Sequence, residues 1–464
     1  MHSIHRVAFI VLGLTAFAAW PEPRDRPEFQ QEYWAQFDRR DWSAAVAAAE
    51  KLVTAARENA AQQPLELAEA LSLLGNAYLG AANYVSAEAA YGEALQLVEK
   101  SSGAMSADLL DPLRGLGYTF AASGRHAEAV PMLDRALIVS HRNYGLFDVG
   151  QQGVLRQLAA SLTKLGRAAE AERHMNYMLR VGQQTHGAKD PKLAPVIGLV
   201  AEWYADTGNF ASARELYRDA LDIVARKLGR SNLAMVEPLR GLARTYTQEL
   251  FYSTLGLRTG RERTPTSADG VSNEYKALNP RYLDSDGEKA LERALKIIEA
   301  QPNPPGEVHI ETLVQLGDWQ QIKHHPERAL PFYRRAAALQ LKLIAAQTDD
   351  RSAKKDEQRT LLGFPVRLYY PIPWLAARNV SLPAEDVDEA FVQVEFTVNG
   401  NGDVVDPRVV EENGTSRQVS ETIDAIRAAR YRPRFANGEP VDTPGITHRE
   451  VFKSRKQVQA ERGS

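Results

Sequence analysis

The side chains best able to do chemistry in this chain are few and poorly grouped. His324 and His325 are adjacent, and a metal bound there would need further ligands from elsewhere, so a solvated turn is the plainer reading. Asp349-Asp350 and Glu411-Glu412 lack partners at the spacing of a general acid and base, and read as surface charge. The chain has no cysteine, which removes thiol nucleophiles, thiolate metal sites and disulfides together. No P-loop, no G-x-G-x-x-G after a strand, no H-E-x-x-H and no G-x-S-x-G occurs. These residue types predict no enzyme, no cofactor and no metal.

What does recur is arginine. Arg114, Arg156 and Arg240 fall on a ladder with steps of 42 positions that also carries Ser72 and Gly198, and four positions further along lie Asn76 and Arg244. A guanidinium grips a carboxylate through a planar fork of donors, so such a set suits an acidic segment or a free C-terminal carboxylate. The competing reading is ordinary charge on a helix face, paired inside the chain with residues such as Glu202 and Glu237.

The elements that would position these arginines share the same step. Leu71, Leu113, Leu155, Ile197 and Leu239 are each 42 positions apart, as are Leu74, Leu116, Leu158, Val200 and Leu242. The next position holds only Gly or Ala, where a larger side chain would keep two helices from close approach, and Tyr78, Phe120, Leu162, Tyr204 and Tyr246 follow three residues on. That spacing puts all of them on one helical face. A turn such as Gly124-Arg125 or Gly166-Arg167 then leads to a second helix with Ala87, Ala129, Ala171 and Ala213 at one buried position. Gly103, Gly145, Gly187 and Gly229 mark its exit, so the unit is helix, turn, helix, turn.

These residues resemble the tetratricopeptide repeat, with LSLLGNAYLGAANYVSAEAAYGEAL from Leu71 to Leu95 matching most closely. The usual period is about 34 residues, so the resemblance is to a longer-helix variant. It implies an α-solenoid whose first helices line a groove, with Asn76, Arg114, Arg156, Arg240 and Arg244 as the peptide-binding candidates. Stepping back 42 positions from Ala87 reaches Ala45 in a degenerate first repeat. Leu313, Leu316, Gly317, Ala329, Tyr333 and Ala336 form a last one, but Leu313 lies 74 positions beyond Leu239, which is 32 more than one step. An insertion near 251–286, rich in Arg, Thr, Gly, Ser and Asn, accounts for the difference, and the solenoid of about seven helix pairs spans 27–346.

The helical period then stops. Residues 347–385 read as a linker whose second part, LLGFPVRLYYPIPWLAARN, has prolines too closely spaced for a helix and aromatics suited to packing on a neighbour. Val392, Val394, Phe396 and Val398 alternate with polar residues as in a half-buried strand. Asn399 to Gly402 gives a hairpin turn, Val404 to Val410 a second strand, and Val419, Ile423 and Ile426 a short helix. The segment from Ile446 to Phe452 fits a third strand with imperfect alternation. From about Asp386 to 464 this predicts a separately folding unit with an exposed sheet edge.

The strand, its Gly-rich turn and the Y-x-P-x4-G-x-P-V run formed by Tyr431, Pro433, Gly438, Pro440 and Val441 resemble the TonB energy-transducer C-terminal domain. Ala429 stands where that family often has tryptophan. The resemblance implies a three-stranded antiparallel sheet with helix on one side, and recognition of partner peptides by strand addition. The expected fold is therefore mainly α, a solenoid followed by a small α+β domain.

Residues 1–18 have a short basic start, an apolar run and an Ala16-Phe17-Ala18 cleavage pattern, which reads as a signal peptide; a span would need about 20 apolar residues. A net charge of −3 gives no reason to expect nucleic acid or an anionic membrane as partner. Together these features predict a periplasmic scaffold or adaptor that binds proteins or peptides, among them envelope or outer-membrane proteins. The alternative is a TonB-like transducer anchored in the inner membrane, in which case the N-terminal segment stays uncleaved.

Overall fold

The computed structural model describes residues 30–254, 285–347, 360–373, 376 and 387–455. The signal segment 1–18 and most of the 251–286 insertion lie outside the described residues. The chain divides into two compact units, one ending at Trp203 and one beginning at Tyr204.

The first unit is built of paired helices. After α1 (Gln31–Asp38) come α2 (Trp42–Glu58), α3 (Pro64–Gly80), α4 (Tyr84–Ser102), α5 (Leu110–Ala122), α6 (His126–Tyr144), α7 (Gln152–Lys164) and α8 (Ala168–His186); α9 (Ala194–Asp206) follows. Asp41 and Asn83 cap α2 and α4 by accepting the backbone N–H of Ala44 and Ser86. The exits of α4, α6 and α8 are Gly103, Gly145 and Gly187, with φ of 86, 87 and 92°, a region that costs any other residue strain. The small residues of the ladder serve the purpose expected of them. Ala77, Ala87, Ala129, Ala159 and Ala171 are wholly buried between helices, as are Leu113, Leu155 and Leu158. Each such leucine contributes about 1.5–3 kcal/mol by leaving water.

Helix spacing is also set pair by pair. Tyr91 on α4 is fully buried, and a Cβ added at Gly75 on α3 would lie 2.7 Å from its ring. The same ring faces Gly115 on α5, the first helix of the next repeat, where an added Cβ would overlap it. One step along, the position of Tyr91 is Leu133 and that of Gly115 is Gln157. The large ring on the second helix is thus met by a glycine on the following helix, and where the ladder replaces the ring by leucine it also replaces the glycine by a larger residue.

The second unit continues with α10 (Phe210–Leu228), α11 (Val236–Thr254), α12 (Ser285–Glu299), α13 (Gly306–Ile322) and α14 (Pro326–Gln347). Tyr217 on α10 faces Gly241 on α11 just as Tyr91 faces Gly115. The C-terminal part contains β1 (Val366–Tyr369), β2 (Val387–Val398), β3 (Val404–Glu412), α15 (Ser416–Ala428), β4 (Arg430–Arg432), β5 (Arg434–Ala436), β6 (Glu439–Val441) and β7 (Thr443–Arg455). Its main sheet has the order β3-β2-β7, antiparallel throughout. Val392, Val394, Phe396 and Val398 point into a core closed by Ile426, Ala425 and Ala429 at the end of α15, with Tyr431 and Phe452. Thr415 and Gln418 form a capping box at the start of α15.

The Pro/aromatic segment within 347–385 is more than a connection. Its β1 pairs with β4, Tyr370 enters the domain core, and the Phe435 N–H donates to the Leu362 carbonyl. The domain therefore begins well before Asp386. It is also joined to α13 and α14 by side-chain contacts, so the terminal unit does not stand apart from the last repeat.

Candidate partner-binding site

The predicted groove residues fall in both units. In the first, Ser72 and Asn76 are buried, and the Asn76 side-chain oxygen accepts the Tyr91 hydroxyl. Arg114 pairs with Asp111 one turn earlier and keeps about a fifth of its side chain exposed (20%). It lines a cavity of about 280 Å³ with Leu110, Leu137, Ser140, Tyr144, Asp148 and Gln151. The charges of Arg114 and Arg156 both reach the Tyr118 hydroxyl; burial raises its pKa and these cations oppose the rise. That hydroxyl is buried with no hydrogen-bond partner among the described residues. Tyr118 occupies the ladder position of Asn76 and lies within the electrostatic reach of both arginines, of which Arg114 lines the cavity.

In the second unit, Arg240 is buried, with 5% of its side chain exposed. Its guanidinium is held by Glu237 at 2.5 Å, Glu311 at 2.7 Å and Gln315 at 3.0 Å. Arg244 on the same helix is half-buried. Back in the first unit, Gly198 on α9 leaves open space where a side chain would stand.

The signature residues of the terminal domain sit around two short hairpins. Tyr431 in β4 packs on Phe396, Pro433 separates β4 from β5, and Asn437-Gly438 turns β5 into β6 with φ of 53 and 81°, a type I′ turn. Pro440 and Val441 pair with Phe435 and Arg434. β7 runs for 13 residues and pairs with β2 from Val387↔Arg455 to Val398↔Thr443. Among the described residues its other edge has no strand partner.

The imperfect alternation of β7 has a cause. His448 and Glu450 lie opposite Val394 and Val392, on the core face of the sheet. The Tyr370 hydroxyl donates to Glu450 at 2.6 Å, His448 Nε2 lies 3.1 Å from the same oxygen, and Arg367 Nη1 lies 3.1 Å from His448 Nδ1. Arginine has only donors, so His448 Nδ1 accepts and Nε2 carries the proton toward Glu450. The opposite face carries surface pairs, Glu395 with Arg408 and Glu389 with Lys453. Sequence reasoning missed Tyr118, Tyr370 and the His448–Glu450 pair; two polar residues at inward positions of a strand were the available signal.

Two family models match this architecture. One for the tetratricopeptide repeat covers residues 66–137 and 152–226, and one for the Gram-negative bacterial TonB protein C-terminal covers 388–452. The chain thus carries tetratricopeptide repeats within 66–226 and a TonB-type C-terminal domain over 388–452. Solved structures similar to it include BtubC from P. vanneervenii, at 19% identity over 57% of this chain and 94% of that one, with a TM-score of 0.41. Repeats of a putative kinesin light chain from Podosopora anserina give 16% identity over 52% and 100%, with a TM-score of 0.39. A Rap protein complexed with competence and sporulation factor gives 15% over 69% and 75%, with a TM-score of 0.37. No curated protein matches the chain.

Proposed function

We propose that this chain is a scaffold or adaptor of the Gram-negative cell envelope that works in the periplasm by binding proteins or peptides, not by catalysis. The observation that carries this reading is the sheet edge. A 13-residue strand paired on one side only offers a row of backbone donors and acceptors to an extended peptide, and the TonB-type match supports strand addition there. The repeats supply a second surface. Arg114, which lines the cavity, and Arg156, whose charge also reaches Tyr118, are the groups suited to an acidic segment or a free C-terminal carboxylate. Partners drawn from the envelope or the outer membrane fit both surfaces.

Two measurements test the reading. Cell fractionation with N-terminal sequencing should find a mature chain beginning near Ala19 in the periplasm; a chain retaining its first residues in the inner membrane would favour an anchored transducer instead. Amide exchange on the full chain, with and without extended peptides from outer-membrane proteins, should show new protection confined to β7. Protection elsewhere, or none with any peptide, would remove strand addition from the proposal.

A further inference from the structure

Within the solenoid, the large aromatic on the second helix of a repeat is covered by the first helix of the next one: Tyr91 by Gly115, and Tyr217 by Gly241. Tyr333 on α14 holds the same register, and among the described residues no helix of a further repeat follows it. Yet Tyr333 is fully buried. Its cover comes from the terminal domain, whose Phe435 ring on β5 lies 6.2 Å away, centroid to centroid.

The polar contact beneath it is also a variation on an inner repeat. Asn76 accepts the Tyr91 hydroxyl; Asp318, at the matching ladder position, accepts the Tyr333 hydroxyl at 2.8 Å. A carboxylate replacing an amide there needs a countercharge. Arg432 on β4 supplies it, with Nε 2.8 Å from Asp318 Oδ1 and Nη2 2.5 Å from Oδ2, while Nη1 donates to the Leu361 carbonyl at 2.9 Å. The two side chains are only 11% and 17% exposed. Around them, Gln321 donates to the Asn401 carbonyl at 2.6 Å and Arg334 meets Glu439 at 3.1 Å. Gly402 approaches so closely that an added Cβ would strike both the Gln321 amide and the Tyr431 carbonyl.

We infer that the terminal domain is the cap of the solenoid. It takes the place that the first helix of a further repeat would take on α13 and α14, and the Arg432–Asp318 pair holds it there. Repeat faces are built to stack on one another, so an uncovered last repeat invites a second copy of the chain, and terminal units must blunt that face. This role goes beyond partner binding: it assigns Arg432, the residue between Tyr431 and Pro433 of the signature, to the solenoid rather than to a peptide.

Arg432→Met in the full chain tests it, because the stem is kept and the fork removed, leaving Asp318 buried without its cation. Amide exchange across 306–347 should accelerate about tenfold or more, and sedimentation should show self-association rising with concentration. Adding Asp318→Asn recreates the uncharged bond of Asn76 with Tyr91 and should recover much of the protection in α13. Wild-type exchange together with a monomer in Arg432→Met would overturn the cap. If that variant unfolds as a whole, the double variant decides: recovered folding supports the pair as the holding contact, and failure to recover overturns it.

Discussion

Gly117 on α5 and Leu133 on α6 approach so closely that a Cβ built on the glycine would lie 2.5 Å from a methyl carbon of the leucine. Both positions belong to repeat ladders, and Leu133 is fully buried, so neither can yield without moving a helix. Gly117→Leu should cost about 3 kcal/mol or more, at the upper end of what overpacking costs, and lower the melting temperature of the full chain sharply. Gly117→Ala should cost less and be partly rescued by Leu133→Ala. A melting curve unchanged by Gly117→Leu would mean that these helices are not held at this distance.

The arginines of the ladder should separate by what they do. Arg240 is buried against Glu237, Glu311 and Gln315, but both carboxylates keep contact with solvent, so Arg240→Met removes three hydrogen bonds without burying a lone charge and should destabilise the chain by about 1–3 kcal/mol. Arg114→Gln with Arg156→Gln should leave melting nearly unchanged while weakening capture of acidic peptides, most visibly at low salt. Equal loss of stability in both experiments would remove the first-unit arginines from the binding site.

His309 on α13 is buried, and its pKa is held below the usual histidine value, first by burial and further by Arg335, with Glu299 at 3.7 Å acting in the opposite direction. The folded state therefore resists taking the proton that the unfolded chain accepts near pH 6.5. Stability should be level above that pH and decline as pH falls below it, toward the lowered folded value. His309→Gln should flatten the decline between about pH 6.5 and 5 in denaturant titrations of the full chain. An identical slope in the variant would assign the acid sensitivity to other groups.

Tyr370 and Glu450 tie the Pro/aromatic segment to the core face of β7. Burial, with the Glu450 carboxylate adding to it, raises the tyrosine pKa far above its usual value, so the hydroxyl stays a donor at any physiological pH. Tyr370→Phe should cost about 1–3 kcal/mol by removing a donor from a mostly buried carboxylate. Limited proteolysis should then cut within 360–373 earlier than in the parent chain, and an unchanged digest would show that β1 alone holds the segment.

Most of the solenoid was legible because its spacing is enforced by packing. A step of 42 positions with Gly or Ala at one place and an aromatic or leucine three residues on admits hardly any other arrangement. The terminal strands were readable where their inward residues are apolar, as in β2, and obscure in β7, where His448 and Glu450 face the core because Arg367 and Tyr370 arrive from a distant segment to satisfy them. The same limit hid the cap. Nothing local marks Asp318 as buried, since its countercharge lies more than a hundred positions away in Arg432.

The matching of Tyr91 to Gly115 and of Tyr217 to Gly241 gives these two junctions between repeats an address. Excising one repeat from the chain would bring Gln157 against Tyr91, a side chain where the ring admits only a hydrogen. A solenoid made of interchangeable units can gain or lose them by unequal recombination and keep folding. Here the repeat after Tyr91 cannot be dropped alone without a compensating substitution at Gln157, so that junction constrains which repeat follows it in the chain.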